Sequence, residues 1–445
     1  MAVKVGMVSL GCSKNQVDGE IMLSLIQRDG YELCGDAEQC DVVIINTCAF
    51  IEDAKRESIE NILEFCELKR QGVIKAVVVT GCLAERYQQE LVTEIPEADV
   101  ILGIGRNTDI VKAAQAIDQA LQGERVVEFA PKDELVMDAE RVLTNAPYYA
   151  YIKLADGCDN RCTYCAIPNI RGRFRSRKME NILEEVRRFA AQGVTEMNLV
   201  AQDTTRYGED IYGKLMLPEL IREVCKVDGV HWVRILYCYP QRVTDELLEV
   251  MASEPKVVKY MDVPVQHASG RILKAMNRRD DYDYLKNLMQ KIREKIPGVV
   301  LRTTFITGFP GETEEDFAEM TRLVKEVKFE RVGCFTYSPE DGTPAYSMPE
   351  QIDEETKRRR ADIVMSEQLA IAEEFARSWI GRELEVVVEG LNEETGIYYG
   401  RSYMDAPDID TRVYFDSPYE HETGEYVMVT VTGSQGYDLV AEEAE

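Results

Sequence analysis

The residues with the most chemical potential are three cysteines in one short loop. Cys158, Cys162 and Cys165 stand in a CxxxCxxC spacing inside LADGCDNRCTYCAIPNIRGRFRSR, residues 154–177. Three thiolates this close can grip three irons of a cubic iron–sulfur cluster, which takes four cysteines when the protein alone holds it. The loop offers no fourth, so one iron is left open to a small molecule. Open coordination separates a working metal site from a structural one. A zinc knuckle short of one ligand is the competing reading.

Three more cysteines share a position rather than a loop. Cys12, Cys48 and Cys82 each follow a short apolar run: VKVGMVSL (3–10), DVVIINT (41–47) and AVVVTG (76–81). Runs of this length and β-branched content are expected of buried parallel strands. Ligands bind at the C-terminal strand edge of such sheets. Buried core thiols are the alternative, but core cysteines scatter along strands, and three at one edge read as a second three-cysteine cluster site.

The elements that must position these residues follow from the pattern. Helices over 18–28, 52–69 and 108–121 and a strand at 100–104 complete an open parallel α/β domain, residues 1–121. Residues 122–147 lack a long periodic segment and read as a linker. Over 148–379 strands alternate with helices in six βα units, which predicts a partial barrel with the CxxxCxxC loop at its C-terminal rim. Gln202 and Asp203 follow the strand 195–200 in a polar turn that suits ribose hydroxyls or a helix cap. Gly308 follows the strand 300–306, where a glycine admits a ligand close to the backbone or simply makes a turn. Gln266 and His267 are further rim candidates. Residues 353–379 form a long charged helix whose triple arginine reads as a solvated face. Residues 380–445 predict a small five-stranded barrel.

Bulk composition narrows the function. Twelve cysteines without a secretory signal argue for metal ligands or reduced thiols, not a disulfide framework. His231, His267 and His421 are the only histidines, too few for a His-rich metal site. No apolar run approaches the roughly 18 residues of a membrane span. The N-terminal MAVKVGMVSLGC is too short for a signal peptide, so a cytoplasmic protein is expected. With 52 basic and 80 acidic residues the net charge is −28. Such a chain repels nucleic-acid phosphate and accommodates a basic protein more easily. Residues 381–445 alone hold 3 basic and 16 acidic residues, a net −13. Asp405, Asp408 and Asp410 there lack the glycine and terminal glutamate of a calcium loop.

The CxxxCxxC loop resembles the signature of radical S-adenosylmethionine enzymes. The whole chain is similar to the methylthiotransferase family, which joins an N-terminal three-cysteine domain, a partial barrel with CxxxCxxC and a small C-terminal β-barrel called TRAM. Within that family it resembles the branch that modifies an aspartate of a small-subunit ribosomal protein. The stretches that carry this are SLGCSKN at 9–15, CAIPNIRGRFRSR from Cys165, YSPEDGTPA at 337–345 and GRSYMDAPDID at 400–410. The tRNA-modifying branch typically has Gln-Met-Asn after the first cysteine and Gly-Arg-Thr in the tail. Ser13 departs from the proline expected beside Cys12, but it neighbours a ligand and is not one.

The resemblance implies two 4Fe-4S clusters, one on Cys158, Cys162 and Cys165 and one on Cys12, Cys48 and Cys82. It implies S-adenosylmethionine as the source of radical and methyl group, with Tyr164 near the adenine, Gln202 and Asp203 at the ribose and Gly308 approached through its backbone. Inserting sulfur at an unactivated β-carbon breaks a strong C–H bond, which needs a cofactor radical. The implied partners are a basic small-subunit ribosomal protein and an external electron donor, with no membrane and no direct nucleic-acid binding. Two other functions share part of the pattern: a tRNA-adenosine methylthiotransferase, which needs an RNA surface, and an iron–sulfur electron carrier or scaffold without turnover.

Overall fold

The computed structural model describes residues 3–36, 39–106 and 110–444. Its N-terminal module runs β1 (Lys4–Ser9), α1 (Ser13–Arg28), β2 (Glu32–Leu33), β3 (Val42–Thr47), α2 (Glu52–Arg70), β4 (Ala76–Gly81), α3 (Cys82–Glu94), β5 (Val100–Leu102), α4 (Ile110–Leu121) and β6 (Val126–Glu128). The strands pair in parallel in the order β2-β1-β3-β4-β5-β6. β3 and β4 are buried along their whole length. The reason is cover on both faces: α1 and α4 pack on Val42, Ile44 and Val78, while α2 and α3 pack on Val43, Ile45, Val77 and Val79. Unbroken β-branched runs are what such two-sided burial requires.

β6 lies inside 122–147, the stretch expected to be linker throughout. Val126 and Val127 pair with Val100 and Ile101, so this segment first closes the sheet. A strand of three residues is too short to show a pattern of its own.

The central module runs β7 (Tyr149–Lys153), β8 (Ala155–Asp156), α5 (Ile167–Arg171), β9 (Arg175–Ser176), α6 (Met179–Ala191), β10 (Glu196–Val200), α7 (Glu209–Tyr212), α8 (Leu217–Cys225), β11 (Trp232–Ile235), α9 (Asp245–Ser253), β12 (Val257–Asp262), α10 (Gly270–Ala275), α11 (Tyr282–Lys295), β13 (Val300–Thr307), α12 (Glu314–Val327), β14 (Arg331–Thr336) and α13 (Glu354–Arg377). Six strands pair in parallel in the order β7-β10-β11-β12-β13-β14. Among the described residues β7 and β14 do not pair with each other, so the barrel is partial. Side chains alternate across it: Ala150 and Ile152 of β7 join the core under the helices, while Tyr149 and Tyr151 join a second core on the other face. Of the triple arginine on α13, Arg360 is buried and pairs with Glu312 at 2.7 Å, which corrects the expectation of a wholly solvated face.

The C-terminal module, β15 (Glu383–Asn392), β16 (Ile397–Ser402), β17 (Val413–Asp416), β18 (Tyr426–Gln435) and β19 (Asp438–Glu443), closes into a barrel in the order β15-β16-β17-β19-β18. It docks through the acidic stretch 400–410. Asp405 takes Arg331 at 2.8 Å, Asp408 accepts from the Tyr149 hydroxyl at 2.9 Å, and Asp410 accepts from the Tyr260 hydroxyl at 2.6 Å. Buried Glu196 of β10 receives Arg401 at 2.8 Å and Arg234 at 3.0 Å. α1, the inner face of the partial barrel and the small barrel share one apolar core.

Burial works to raise the Glu196 carboxyl, but Arg401 and Arg234 outweigh it and hold it below its ordinary value. Its contribution to stability is therefore present above about pH 4.3 and lost as pH falls through the depressed value. Glu196→Ala removes the carboxylate paired with buried Arg234 and leaves buried Arg401 with Glu389 alone, and should cost about 3–5 kcal/mol. Thermal unfolding and limited proteolysis near residue 380 check this; unchanged melting and no release of the small barrel would refute it.

Candidate active site

Cys12, Cys48 and Cys82 come together because β1, β3 and β4 are neighbours in the sheet and end level. Ser9 pairs with Asn46, Thr47 pairs with Gly81, and the Leu10 N–H donates to the Asn46 carbonyl at 2.9 Å. Two glycines make room. Gly11 has φ +90, and a Cβ there would lie 2.7 Å from the Cys48 sulfur. Gly81 has φ +91, and its Cβ would lie 2.5 Å from the Thr47 carbonyl oxygen. Buried Asn15 ties the edge together by donating to the carbonyls of Leu10, Asn46 and Thr47 at 2.9, 3.2 and 3.2 Å. Burial, then the charges of Cys82 and Cys12, push the Cys48 thiol up to about 12. Burial also raises Cys82. The Cys12 side chain is exposed; the surrounding protein still works to raise its thiol, but Lys14 and Arg171 prevail and lower it.

The second set follows β7. Gly157, with φ +76, passes so close to Arg173 that a Cβ would lie 2.1 Å from its carbonyl oxygen. The loop is then clamped from the rim. Thr163 donates its N–H to the Met276 carbonyl at 3.1 Å and its hydroxyl to the Ala275 carbonyl at 2.8 Å, at the end of α10. Asn160 donates to Asp203 at 2.8 Å and accepts from Arg242 at 3.0 Å. Burial pushes Cys158 up to about 12 and, joined by the charges of Cys162 and Cys158, raises Cys165. Thiols shifted upward in this way keep their protons in ordinary water and give them up when a metal binds the sulfur.

Arg171 of α5 spans the two sets. It lies six residues past Cys165, is buried, and donates to the Cys82 sulfur at 3.3 Å and to Asn15 Oδ1 at 3.0 Å. It also pairs with Asp18 of α1 and, at 3.2 Å, with Asp156 of β8. Lys153 completes the group by pairing with Asp18 and, at 2.8 Å, with Asp156. A second bridge lies beside it: Arg141 pairs with Glu20 of α1 and, at 2.6 Å, with Glu185 of α6. At the rim, Arg86 and Lys55 of the N-terminal module reach Glu340 at 2.6 and 3.2 Å.

The donor sets fit iron–sulfur clusters. Each consists of three thiols with no histidine. In the N-terminal set Cys82 and Cys12 help raise Cys48, and in the loop set Cys162 and Cys158 help raise Cys165. Three soft thiolate donors apiece suit a cluster in which each takes its own iron.

The remaining expected residues divide. Tyr164 packs against the main core, where burial and neighbouring Cys162 raise its phenol. Gln202 presents a buried, unpartnered Oε1. Asp203 is buried and already accepts from Thr205 at 2.6 Å, Asn160 at 2.8 Å and Arg242 at 2.9 Å, so it holds the cysteine loop. At Gly308 the N–H donates to Glu312 at 2.8 Å, and a Cβ there would lie 2.2 Å from Lys357 Cγ, so the glycine makes room for a lysine of α13. Buried His267 is engaged locally, its Nδ1 accepting from the Ser269 N–H at 2.9 Å. Sequence reasoning missed Lys14, Asn15 and Arg171. Their nearness to cysteines in the chain was the available signal.

Three family models match the chain: Uncharacterized protein family UPF0004 over residues 4–103, the Radical SAM superfamily over 152–324 and the TRAM domain over 380–443. Ribosomal protein uS12 methylthiotransferase RimO of Lachnoclostridium phytofermentans is 48% identical over 439 residues, 98% of this chain and 99% of that protein. The enzyme of the same name from Caldanaerobacter subterraneus subsp. tengcongensis is 50% identical over 439 residues, with the same coverage. Among solved structures, the radical S-adenosylmethionine methyltransferase TsrM from Kitasatospora setae, with cobalamin and a 4Fe-4S cluster bound, is similar in fold. Its TM-score is 0.58 at 16% identity, over 78% of this chain and 77% of that one. With relatives so alike along nearly their entire length, the chain belongs to the RimO family of ribosomal protein uS12 methylthiotransferases, and its central domain is that of a radical SAM enzyme.

Proposed function

We propose that this chain transfers a methylthio group to the β-carbon of an aspartate in ribosomal protein uS12. The observation that carries the reading is that Arg171, six residues past Cys165, reaches the Cys82 sulfur at 3.3 Å and pairs with Asp156 just before the CxxxCxxC loop at 3.2 Å, in a chain alike along nearly its whole length to uS12 enzymes. Residues 148–379 would carry the radical chemistry, residues 1–121 the sulfur, and residues 380–445 an acidic surface for the substrate. Cys158, Cys162 and Cys165 would hold one 4Fe-4S cluster and Cys12, Cys48 and Cys82 a second. Bound there, the clusters and S-adenosylmethionine supply the radical that removes hydrogen from the β-carbon and the sulfur and methyl group that replace it.

The chain's own residues bind, orient and enclose. Tyr164 offers a flat face for adenine. Gln202, with its unpartnered Oε1, is the acceptor for a ribose hydroxyl, and Asp203 supports it by fixing the loop through Asn160. The N-terminal module caps the barrel rim through Arg86, Lys55 and Glu340, which keeps water from a reactive site. The −13 charge of residues 381–445 favours a basic ribosomal protein over RNA. An external electron donor completes the set of partners. No helix among the described residues is long and apolar enough to cross a membrane, and a ribosomal substrate supports a cytoplasmic reading.

Cys158→Ala should abolish reductive cleavage of S-adenosylmethionine, measured as 5′-deoxyadenosine. Cys48→Ala should retain that cleavage and lose methylthiolation of uS12. Methylthiolated uS12 from the Cys48 variant would remove the sulfur role from the N-terminal set. Mass spectrometry should find the modification on uS12 after incubation with the reconstituted enzyme; modified tRNA beside unmodified uS12 would overturn the substrate assignment.

A further inference from the structure

Phe335 is an aromatic ring left open to solvent on the concave side of the barrel. It is 53% exposed and belongs to β14, the strand at one end of the six-stranded sheet. Strand alternation fixes its direction. Val332 and Cys334 pack on the core under the helices, so Gly333 and Phe335 point to the inner face. The ring lies back along its own strand: a Cβ on Gly333 would meet Phe335 Cε2 at 3.4 Å and Arg302 Nη2 at 3.9 Å. A single apolar side chain exposed on a convex surface is ordinary. A ring held open inside a cleft is not, because a buried aromatic is among the strongest single contacts an interface offers.

The inner face leads from this ring to the cysteines. Arg302, beside Gly333, donates to Asp262 of β12 at 3.0 Å. Asp262 accepts the Tyr237 N–H, just past β11, at 2.9 Å. The Tyr237 ring lies under the side chain of Lys14, two residues past Cys12. One wall therefore runs from the edge of the sheet to the neighbourhood of the N-terminal set. The opposite edge is closed: α1 covers β7 and pairs Asp18 with Lys153. Beside Phe335 the two modules meet, where the Glu52 N–H at the start of α2 donates to the Ser338 hydroxyl at 3.4 Å. Phe335 and Phe50, the latter also exposed, both stand within three residues of that contact. Glu52 is exposed there, and the rim cations Lys55 and Arg86 are already held by Glu340.

We propose that the inner face of β14 receives the segment of uS12 that carries the target aspartate, with Phe335 stacked against a basic side chain beside that aspartate. The inference rests on the uS12 methylthiotransferase reading and adds where the substrate chain enters. Charge complementarity names the occupant. The chain carries a net −28, and an open aromatic face in an acidic protein suits a lysine or arginine, whose stem packs on the ring while its charge meets the ring's negative face. The unpaired edge lets an extended segment lie along β14 without threading a closed barrel.

Binding of labelled uS12 to the reconstituted enzyme loaded with S-adenosylmethionine tests this. Phe335→Ala should weaken binding at least about tenfold, as truncation of an aromatic anchor does. Phe335→Trp, which keeps a flat face, should stay within about threefold of the wild type. Ile363→Ala, which removes an exposed apolar side chain of α13, should bind as the wild type does. Against uS12 in which the basic residue nearest the target aspartate is changed to glutamine, Phe335→Ala should cost less than about threefold, because the stacked pair is already broken. Phe335→p-benzoylphenylalanine should crosslink to uS12 on irradiation, and Ile363→p-benzoylphenylalanine should not. Wild-type affinity in Phe335→Ala overturns the proposal, as do equal losses against both forms of uS12, equal weakening by Ile363→Ala, or a crosslink from position 335 that joins two copies of the enzyme. If the wild type methylthiolates uS12 and Phe335→Ala binds it equally well, this inference alone falls; if the wild type neither binds nor methylthiolates uS12, the function falls and this inference with it.

Discussion

The structure depends on four buried charges that belong to two domains. Asp18 comes from α1 of the N-terminal module; Lys153, Asp156 and Arg171 come from the barrel. Each would lose several kcal/mol of hydration if buried alone. Together they balance in sign, and each has two partners. The group is stable only with the domains docked, and docking sets Arg171 against Cys82 and Asn15 at the sheet edge that carries Cys12, Cys48 and Cys82. One electrostatic requirement thereby fixes both the interface and the relation between the cysteine sets. Arg141, with Glu20 and Glu185, repeats the device a short distance away.

The acidic small barrel fits the same logic from the other side. Its motif GRSYMDAPDID spends its charges on the partial barrel: Asp405 on Arg331, Asp408 on Tyr149, Asp410 on Tyr260 and Arg401 on Glu196. Asp405, Asp408 and Asp410 are interface groups, which accounts for their clustering without any cation. The remaining acidic residues of this module keep its surface negative, as a partner for a basic protein would require.

Much of this was legible in the sequence, for physical reasons that can be named. Strands β3 and β4 announce two-sided burial by unbroken apolar runs, and cysteines just past their ends must meet because neighbouring parallel strands end together. The CxxxCxxC loop is local, so its spacing alone carries it. What was not legible depends on distant residues. The sequence shows Gly308, but not that Lys357 of α13 packs against it. Asp203 looks free until Asn160 and Arg242 arrive from other loops. β6 is too short to show a pattern. Lys14 and Arg171 lay in stretches noted for other reasons, because burial of either charge exists only once the two domains meet.

The central claim is that the two cysteine sets form one site. Electron paramagnetic resonance of the reduced, reconstituted enzyme tests it most directly, with the Cys48→Ala and Cys158→Ala variants supplying each cluster alone. The account predicts a wild-type spectrum broadened and faster-relaxing than the sum of the two variants, because the clusters couple magnetically across the Arg171 interface. A wild-type spectrum equal to that sum, or one showing a single cluster, would contradict it.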